Sequence, residues 1–433
     1  MARPRWTRWP RSPTPTFSPL WRHPEFLKFW AGQSVSLFGT QFSLLAIPLA
    51  AALTLHASSA QMGFLGAAQF APALVLGLFI GVWLDRARRR PVMVVTQLAS
   101  MVALATVPIA AVGHLLTLVQ LYAVAFLAGA ASAAYSVAQN SFLPTLVGRE
   151  HLVEANAKFQ TSRTIAQLAG PGIAGWVIQL ITAPLAIAFD AASFLVGALT
   201  AAWIRTHEEA PSAAEARRHI LREARQGLSF LWEEPLVRSV SLILILANFG
   251  SLLGNAVFVL LFVGHLGVTP AQLGLVWAIG SLSSLFGAQL AKPVARRLGL
   301  GTVLVTACFL YSAGGLGAVA AAFAARPAVL PLLVAGGLVT GLALMTFNVS
   351  QQAIRQALIP NHLLGRTQAG LLVLVYGGQV LGSLAGGALG QVAGLRTALV
   401  VGAALVWLSV LPAVFSPLRR LTEVPGSPEA VPA

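Results

Sequence analysis

The chain has 433 residues, of which 57% are hydrophobic and only 9% are charged. Because an ordinary soluble domain carries about 25% charged residues, this composition excludes a soluble protein. The net charge of +15 would suggest nucleic-acid binding if the basic residues shared one face of a soluble domain, but they lie between long apolar runs. We therefore expect no nucleic-acid partner, and the single cysteine, Cys308, excludes an internal disulfide.

Residues 1–28 combine basic residues with many prolines, and we predict a disordered cytoplasmic tail there, because proline breaks regular helices. Apolar runs follow, each long enough to cross a hydrocarbon core of about 30 Å. Only a helix satisfies its own backbone in lipid. The sequence therefore predicts an all-α polytopic membrane protein with twelve transmembrane helices, at residues 29–54, 60–84, 91–111, 116–141, 157–181, 183–204, 238–263, 271–292, 301–324, 328–354, 367–392 and 396–415.

Basic residues accumulate at alternate connections between these runs. Of the 28 lysines and arginines, only Arg326 and Arg396 belong to the side opposite the chain termini. The run GVWLDRARRRP at 81–91 is the sharpest example, since an uncharged span ends there in one acid and four arginines. Because positive charge collects in cytoplasmic loops, we predict a multi-pass protein of the cell (inner) membrane with both termini in the cytoplasm.

The chain also contains an internal repeat. A shift of 212 positions superposes identical residues in the same helical context, and this predicts two six-helix halves in the same orientation, at 29–204 and 238–415. The halves are joined by 205–237, predicted as a cytoplasmic amphipathic linker helix, and 416–433 form a cytoplasmic tail. The matched pairs are Gly129 and Gly341, Ala131 and Ala343, Val137 and Val349, Gln139 and Gln351, Leu146 and Leu358, Leu152 and Leu364, Gln167 and Gln379, Gly170 and Gly382, Gly175 and Gly387, and Gln179 and Gln391.

Small residues recur every four positions in the eleventh span, at Gly378, Gly382, Gly386 and Gly390. Such a face lets another helix approach closely. We expect Gly382 and Gly386 to meet a helix of the other half, where the contact could slide or rock. A static packing seam is the alternative.

Two motifs resemble those of the major facilitator superfamily. The signature between spans two and three is similar at Gly81, Asp85, Arg86, Arg89 and Arg90, with Arg88 where glycine is frequent, and a worn copy follows at Gly287, Lys292 and Arg296. The run LAGPGIAGWV resembles the span-five signature of exporters at Gly170, Pro171 and Gly175. The stretches FLKFWAGQSVSLFGTQ (26–41) and FDAASFLVGAL (189–199) resemble the macrolide-efflux and enterobactin-exporter branch, also called transmembrane secretion effectors.

This resemblance implies the major facilitator fold and a monomeric secondary transporter that exports a small amphipathic molecule, such as a drug, macrolide-like compound or siderophore, coupled to protons. It implies no enzyme activity, cofactor or metal. In the family the acid matching Asp85 faces the start of span eleven, where a helix dipole stabilises an anion. Asp85 is therefore expected to be a conformational latch on the outward-facing state, oriented by Arg86, Arg89 and Arg90. The alternative is that these charges only anchor the topology.

The resemblance also places spans one, four, seven and ten around the central cavity. Polar side chains in a span are expected to face the bundle interior or a wet cavity. Neutral polar candidates there favour a neutral or cationic amphipathic substrate, although each could instead bond between helices. They are Gln33, Ser36, Thr40, Gln41, Tyr135, Ser136, Gln139, Asn248, Asn255, Asn348 and Gln351.

Asp190 is the one acid well inside a predicted span. An intramembrane carboxyl is costly and is by default a functional candidate, so Asp190 is the first proton-coupling candidate and Glu154, at the mouth of span five, is the second. Against coupling, span six lies off the central cavity in this fold, and branch relatives carry acids near the positions of Thr40 and Ser136. A structural hydrogen-bonding role is the alternative for Asp190.

Other functions remain open from the sequence alone. An importer or a lipid-like substrate transporter would share this fold, and so would a non-transporting receptor or scaffold. An intramembrane enzyme would need a nucleophile with its base or a set of metal ligands, but the sequence contains no HExxH spacing and no Walker sequence.

Overall fold

The computed structural model describes residues 19–84, 87–206, 208, 229–360 and 363–420. Within these ranges it has 12 helices long and apolar enough to cross a membrane, which confirms the predicted all-α fold. In chain order they are α1 (Pro24–Leu49), α2 (Ser59–Leu84), α3 (Arg89–Val112), α4 (Leu118–Val147), α5 (Leu152–Ile181), α6 (Ala183–Ala202), α7 (Pro235–Val259), α8 (Pro270–Leu298), α9 (Leu300–Phe323), α10 (Arg326–Leu358), α11 (Leu364–Ala393) and α12 (Leu395–Leu408), the last continued by a short α13 (Val410–Phe415).

Several helices run past the predicted apolar runs on the side where α1 begins, which we call the arginine-rich side; the other is the arginine-poor side. Helix α1 begins at Pro24 rather than 29, and α5 at Leu152 rather than 157. The charges that ended the apolar runs pair within these helices. Lys28 Nζ lies 2.8 Å from Glu25 Oε1, and Lys158 Nζ lies 3.6 Å from Glu154 Oε1. Paired charges three or four residues apart support a helix rather than end it.

The two six-helix halves pack by the same pattern. In the first half α1 packs against α5 and α6, α2 against α4, and α3 against α4 and α6. In the second half α7 packs against α11 and α12, α8 against α10, and α9 against α10 and α12. Each contact in one half thus has its counterpart six helices later, which confirms the repeat.

Local details repeat as well. Helices α1 and α7 both end in a π turn, at Ala50–Thr54 and Leu260–His265. The next helix in each half opens with a capping box, formed by Ser58 with Gln61 before α2 and by Thr269 with Gln272 before α8. Each box satisfies backbone donors at a helix start, so the matching helices begin with the same local structure.

The predicted linker helix lies largely outside the described residues, because 207 and 209–228 are not described; nor are most residues of the two tails. From residue 229 onward the linker is helical. Leu231, one of its predicted apolar positions, is buried in a cluster with Val237, Ile359 and Leu371. The end of the linker is therefore packed against α7, α11 and the end of α10.

Candidate functional site

The two halves meet where α2 crosses α11. A Cβ added to Gly63 of α2 would lie 2.9 Å from the Cα atom of Gly387 in α11, and one added to Gly66 would lie 3.1 Å from the Cβ atom of Ser383. The small residues on both helices permit this approach. Since α2 begins and α11 ends nearby, the contact lies on the arginine-poor side.

The second meeting point is between α5 and α8. A Cβ on Gly175 of α5 would lie 3.0 Å from the Cα atom of Gly274 in α8, and one on Gly172 would lie 3.6 Å from the Cβ atom of Ala278. Helix α5 ends and α8 begins here, so this contact is also on the arginine-poor side. We call the α2–α11 and α5–α8 contacts the outer contacts.

A glutamine forms a hydrogen bond between the two helices at each outer contact. Gln179 of α5 accepts a hydrogen bond from the backbone N–H of Ala271 at the start of α8, at 3.3 Å. Gln391 of α11 accepts one from the hydroxyl of Ser59 at the start of α2, also at 3.3 Å. The repeat pairs Gln179 with Gln391 and Gly175 with Gly387. The two outer contacts are therefore the same contact made twice.

The span-five motif has two separate contact partners. Gly175 faces α8 of the other half, whereas Gly170 faces its own half, where an added Cβ would overlap the side chain of Gln41 in α1. The carbonyl of Pro171 packs against Gly274 of α8. The predicted packing positions thus hold α5 against both neighbours.

The prediction that Gly382 and Gly386 meet a helix of the other half is wrong. Added Cβ atoms on Gly382 and Gly386 would overlap the backbone of Phe249 and Leu253 in α7, which belongs to the same half. Gly378 also faces α7, while Gly390 lies between Val257 of α7 and Ser59 of α2. Close packing occurs at these positions, but the closest backbone contact with the other half is made by Gly387, one residue beyond Gly386.

Two pairs of polar side chains link neighbouring helices. The hydroxyl of Tyr135 in α4 donates to Gln33 Oε1 in α1 at 2.6 Å. Gln379 Nε2 in α11 donates to Asn248 Oδ1 in α7 at 3.0 Å. Three of these four were predicted cavity residues. Gln379 was missed as a cavity candidate, although its repeat match with Gln167 had already marked it.

The remaining cavity candidates divide into three groups. Ser36, Thr40 and Gln41 donate to backbone carbonyls, those of Ser193, Ser36 and Leu37. Gln351 is 7% exposed, and its Oε1 accepts no hydrogen bond from the described residues. The last group makes no side-chain hydrogen bond within the described part of the chain; its members are Ser136, Gln139, Asn255 and Asn348. Unpaired amides and hydroxyls of this kind are free to bind a ligand.

Asp190 is 1% exposed and lies in α6 where that helix packs against α1. The hydroxyl of Ser193 is 3.2 Å from Asp190 Oδ1, and Ser36 of α1 donates to the carbonyl of Ser193 at 3.2 Å. Gly39 makes room for the carboxyl, since a Cβ there would lie 2.9 Å from Oδ1. Ser43 also faces the carboxyl, without a hydrogen bond of regular geometry.

We call the buried polar groups of Ser36, Asp190 and Ser193 the α1–α6 seam. A buried amide that the sequence analysis did not single out lies next to it. Gln97 of α3 is 2% exposed. A Cβ on Gly197 would lie 2.7 Å from both Gln97 Nε2 and Ser36 Oγ, so α1, α3 and α6 meet at polar groups. Gln97 Oε1 accepts no hydrogen bond from the described residues. The available signal was an amide in the middle of an apolar run.

Glu154 lies in a different setting, in the first turn of α5 on the arginine-rich side. It pairs with Lys158, whose ammonium group lies 3.8 Å from the ring centroid of Trp21. Glu154 is therefore distant in the fold from the α1–α6 seam. Among the described residues, no cluster of His, Cys, Asp and Glu could hold a metal ion.

A family model of the Major Facilitator Superfamily matches residues 29–329. The chain belongs to this superfamily. It is 27% identical over 365 residues to the multidrug efflux pump Tap of Mycolicibacterium fortuitum, covering 82% of this chain and 87% of Tap. It is 26% identical over 266 residues to macrolide efflux protein A of Streptococcus pyogenes, covering 58% and 62% of the two chains. These relatives confirm the resemblance to the efflux branch.

Solved structures of transporters share the fold. A bacterial homologue of the iron transporter ferroportin, in an inward-facing state, superposes with a TM-score of 0.73 at 17% identity, covering 90% of this chain and 98% of that one. This likeness supports the fold, and the family match over residues 29–329 makes the chain a multi-pass membrane transporter of that superfamily.

The superfamily's latch signature is only partly described. Gly81 lies in the last turn of α2, while Asp85 and Arg86 lie outside the described residues. Arg90 Nε donates to the carbonyl of Ala201 at 3.2 Å, and its terminal nitrogen bonds the carbonyl of Ala202. The backbone N–H groups of Arg89 and Arg90 donate to Glu208. Arg90 thus joins α3 to the end of α6, and both backbones hold Glu208 beyond it. The expected role of Arg89 and Arg90 in orienting Asp85 stays a prediction.

Proposed function

We propose that the protein is a secondary active transporter that exports a small amphipathic molecule by alternating access between its halves, 29–204 and 238–415. The proposal rests on the pair of outer contacts, because both lie on the arginine-poor side and both join one half to the other. We place the arginine-rich side in the cytoplasm. With the outer contacts closed, a central cavity between the halves would load from the cytoplasm, as an exporter requires.

The efflux direction and the substrate class rest on two further observations. The relatives are a multidrug efflux pump and a macrolide efflux protein. The predicted cavity residues that have no partner within the described residues lie on α4, α7 and α10, and they are neutral amides and hydroxyls such as Asn348 and Gln351. Such groups orient a ligand by hydrogen bonds, while the surrounding apolar side chains bind its bulk. A neutral or cationic amphipathic compound fits this lining.

Crosslinking tests alternating access directly. In Gly172→Cys/Ala278→Cys the two Cβ positions are 3.6 Å apart across the halves, within the range of about 3.5–4.5 Å that a disulfide needs. Oxidation should hold the arginine-poor side shut and stop transport, and a reductant should restore it. Cys308 is replaced by serine in all variants, so that the engineered pair is the only source of a disulfide.

A matched control lies within one half. In Phe249→Cys/Gly378→Cys the Cβ positions are 4.0 Å apart, but α7 and α11 move together. Oxidation there should leave transport near the uncrosslinked rate. Full transport by the oxidised Gly172→Cys/Ala278→Cys protein, with crosslinking verified by mass spectrometry, would contradict alternating access through this side.

An accumulation assay in cells identifies the substrate class. Cells with and without the protein are loaded with a panel of dyes, macrolides and siderophores, and the retained amount of each is compared. We expect lower retention of cationic and neutral amphipathic compounds in cells that carry the protein. Lower retention confined to anionic compounds would overturn the proposed substrate class.

We propose that Asp190 carries the coupled proton. It lies at the contact between α6 and α1, where Ser36 of α1 donates to the carbonyl of Ser193, one turn from Asp190. A carboxyl can bind and release a proton, whereas the isosteric amide of Asp190→Asn cannot. Asp190→Asn should therefore abolish uphill efflux driven by a pH gradient in proteoliposomes while preserving downhill exchange of labelled substrate.

Glu154→Gln is the matched control, because it removes the other candidate carboxyl while preserving its size. It should retain gradient-driven efflux. Uphill transport by Asp190→Asn at the wild-type rate would exclude Asp190 as the carrier. Loss of uphill transport in Glu154→Gln alone would assign the proton to Glu154 instead.

A further inference from the structure

A basic pocket lies between the start of α3 and the end of α6, on the arginine-rich side. It has a volume of about 430 Å³ and is lined by three arginines, one glutamate and the valines of α3's first turns, chiefly Arg88, Arg90, Arg205, Glu208, Val94 and Val95. These helices leave the hydrocarbon core here, so the pocket lies at the depth of lipid headgroups. From this geometry we propose that the pocket binds the headgroup of an anionic phospholipid.

Some charged groups of the pocket already have hydrogen-bond partners in the protein, and others do not. The carboxylate of Glu208 accepts from two backbone N–H groups of α3, at 3.0 and 3.1 Å, and Arg90 is bonded to the carbonyls at the end of α6. Arg88 and Arg205 are exposed and lie within ion-pair distance of no carboxylate among the described residues, although Arg205 also attracts Glu25, whose Oε2 accepts its backbone N–H at 2.7 Å. Two cations on the pocket wall are therefore available to a phosphate.

The apolar surface beyond the pocket favours a lipid over a soluble anion. On α3, Val95 is 62% exposed and Val102 is 57% exposed, and they lie on one face with Leu98. On α6, which packs against α3, Leu199 and Val196 are exposed as well. These stripes run from the pocket towards the bilayer centre, as two acyl chains of a bound lipid would. A free phosphate would gain nothing from them.

An exposed tryptophan marks the same depth. Trp203 follows the last turn of α6 and is 64% exposed, and its backbone carbonyl accepts from Lys28 Nζ at 3.3 Å. Tryptophan is enriched at the interface between membrane and water, and basic pockets between transmembrane helices on the cytoplasmic side bind anionic headgroups. Position, charge and apolar surface thus agree on one occupant.

Native mass spectrometry tests the proposal. The full-length protein in mild detergent is titrated with dioleoyl phosphatidylglycerol, with dioleoyl phosphatidylcholine as the neutral comparison. Arg88→Gln/Arg205→Gln should weaken phosphatidylglycerol binding roughly 30-fold, from about 1 kcal/mol for each of the two basic residues near an anionic lipid and tenfold for each 1.4 kcal/mol. Phosphatidylcholine binding should not change.

Arg296→Gln/Arg297→Gln is the matched control, because it removes two exposed arginines from the same side, at the end of α8. It should change phosphatidylglycerol binding less than two-fold. Equal losses in both double variants, or no loss in either, would overturn the site. Displacement of the lipid by glycerol phosphate at equal concentration would show that the pocket takes a soluble anion, which also overturns the assignment.

Discussion

Replacing Gly387 with alanine should shift the protein away from the state in which the outer contacts are closed. The added Cβ would lie 2.7 Å from the carbonyl oxygen of Ser59 and 2.8 Å from the Cα atom of Gly63. Both are backbone atoms of α2 in the other half and cannot rotate aside. Only separation of α2 from α11 on the arginine-poor side relieves the overlap.

The size of the shift follows from the cost of overpacking, which is about 1–3 kcal/mol. Since the overlap exists only while the outer contact is closed, the ratio of closed to open protein should fall by a factor of about 5 to 150, at tenfold for each 1.4 kcal/mol. A population that was 99% closed would drop to somewhere between roughly 95% and 40%.

Gly386→Ala provides the control, one residue away. Its Cβ would lie 2.8 Å from the carbonyl carbon and from the Cα atom of Leu253 in α7. Because α7 and α11 belong to the same half, this overlap exists in every state of the transport cycle. The variant should unfold at a lower temperature without changing the balance between states.

Spin labels report the balance. Leu115→Cys lies in the α3–α4 connection and Ala325→Cys in the α9–α10 connection, both on the arginine-poor side but in different halves. With Cys308 replaced by serine, pulsed electron resonance should reveal a longer-distance population in Gly387→Ala but not in Gly386→Ala. Identical distributions in Gly387→Ala and the parent, or equal shifts in the two variants, would refute the assignment of these faces.

Three further outcomes are expected. Gln179→Leu and Gln391→Leu each remove one hydrogen bond of an outer contact, worth about 0.5–1.5 kcal/mol, so each should shift the same spin-label balance towards opening by roughly two- to ten-fold; an unchanged balance in both would mean that the bonds do not hold the contacts. Tyr135→Phe and Gln33→Leu should show a coupling of about 0.5–1.5 kcal/mol in a double-mutant cycle of unfolding free energy, and strict additivity would show that the bond contributes nothing. Asp85→Asn should slow transport without reducing membrane insertion and should favour the closed outer contacts, and wild-type flux would contradict the latch.

The twelve helices were predictable because lipid leaves a chain no other regular structure. Their ends were less so. A count of apolar residues stops at the first charge, whereas Glu25 with Lys28, and Glu154 with Lys158, form pairs that continue the helix outward. Pairing between residues three or four apart depends on the helix already being formed, so an apolar count cannot include it.

The partner of each glycine was harder to predict than its presence. A spacing of four residues turns about 40° around an α-helix at each step, so Gly378 to Gly390 do not form a straight stripe. The early members face α7, and by Gly390 the face has turned far enough to reach Ser59 of α2. Gly387 is set about 100° from Gly386, which places it on the face towards α2. Spacing identifies close packing, but the tertiary arrangement decides which helix is met.

A comparison of the two halves supports the proposed proton-coupling role of Asp190 more strongly than the burial of its carboxyl does. In the first half, Gly39 of α1 packs against Asp190 and Ser193 of α6. The corresponding contact in the second half joins Gly250 of α7 to Gly402 of α12, where a Cβ on Gly250 would lie 2.7 Å from the carbonyl oxygen of Gly402. The second half therefore forms this helix contact from backbone atoms and the apolar Leu405, so packing does not require a carboxyl there. A carboxyl in a membrane span is costly, and its presence in one half only supports the proposal that Asp190 binds the coupled proton over the alternative of a packing contact that both halves share.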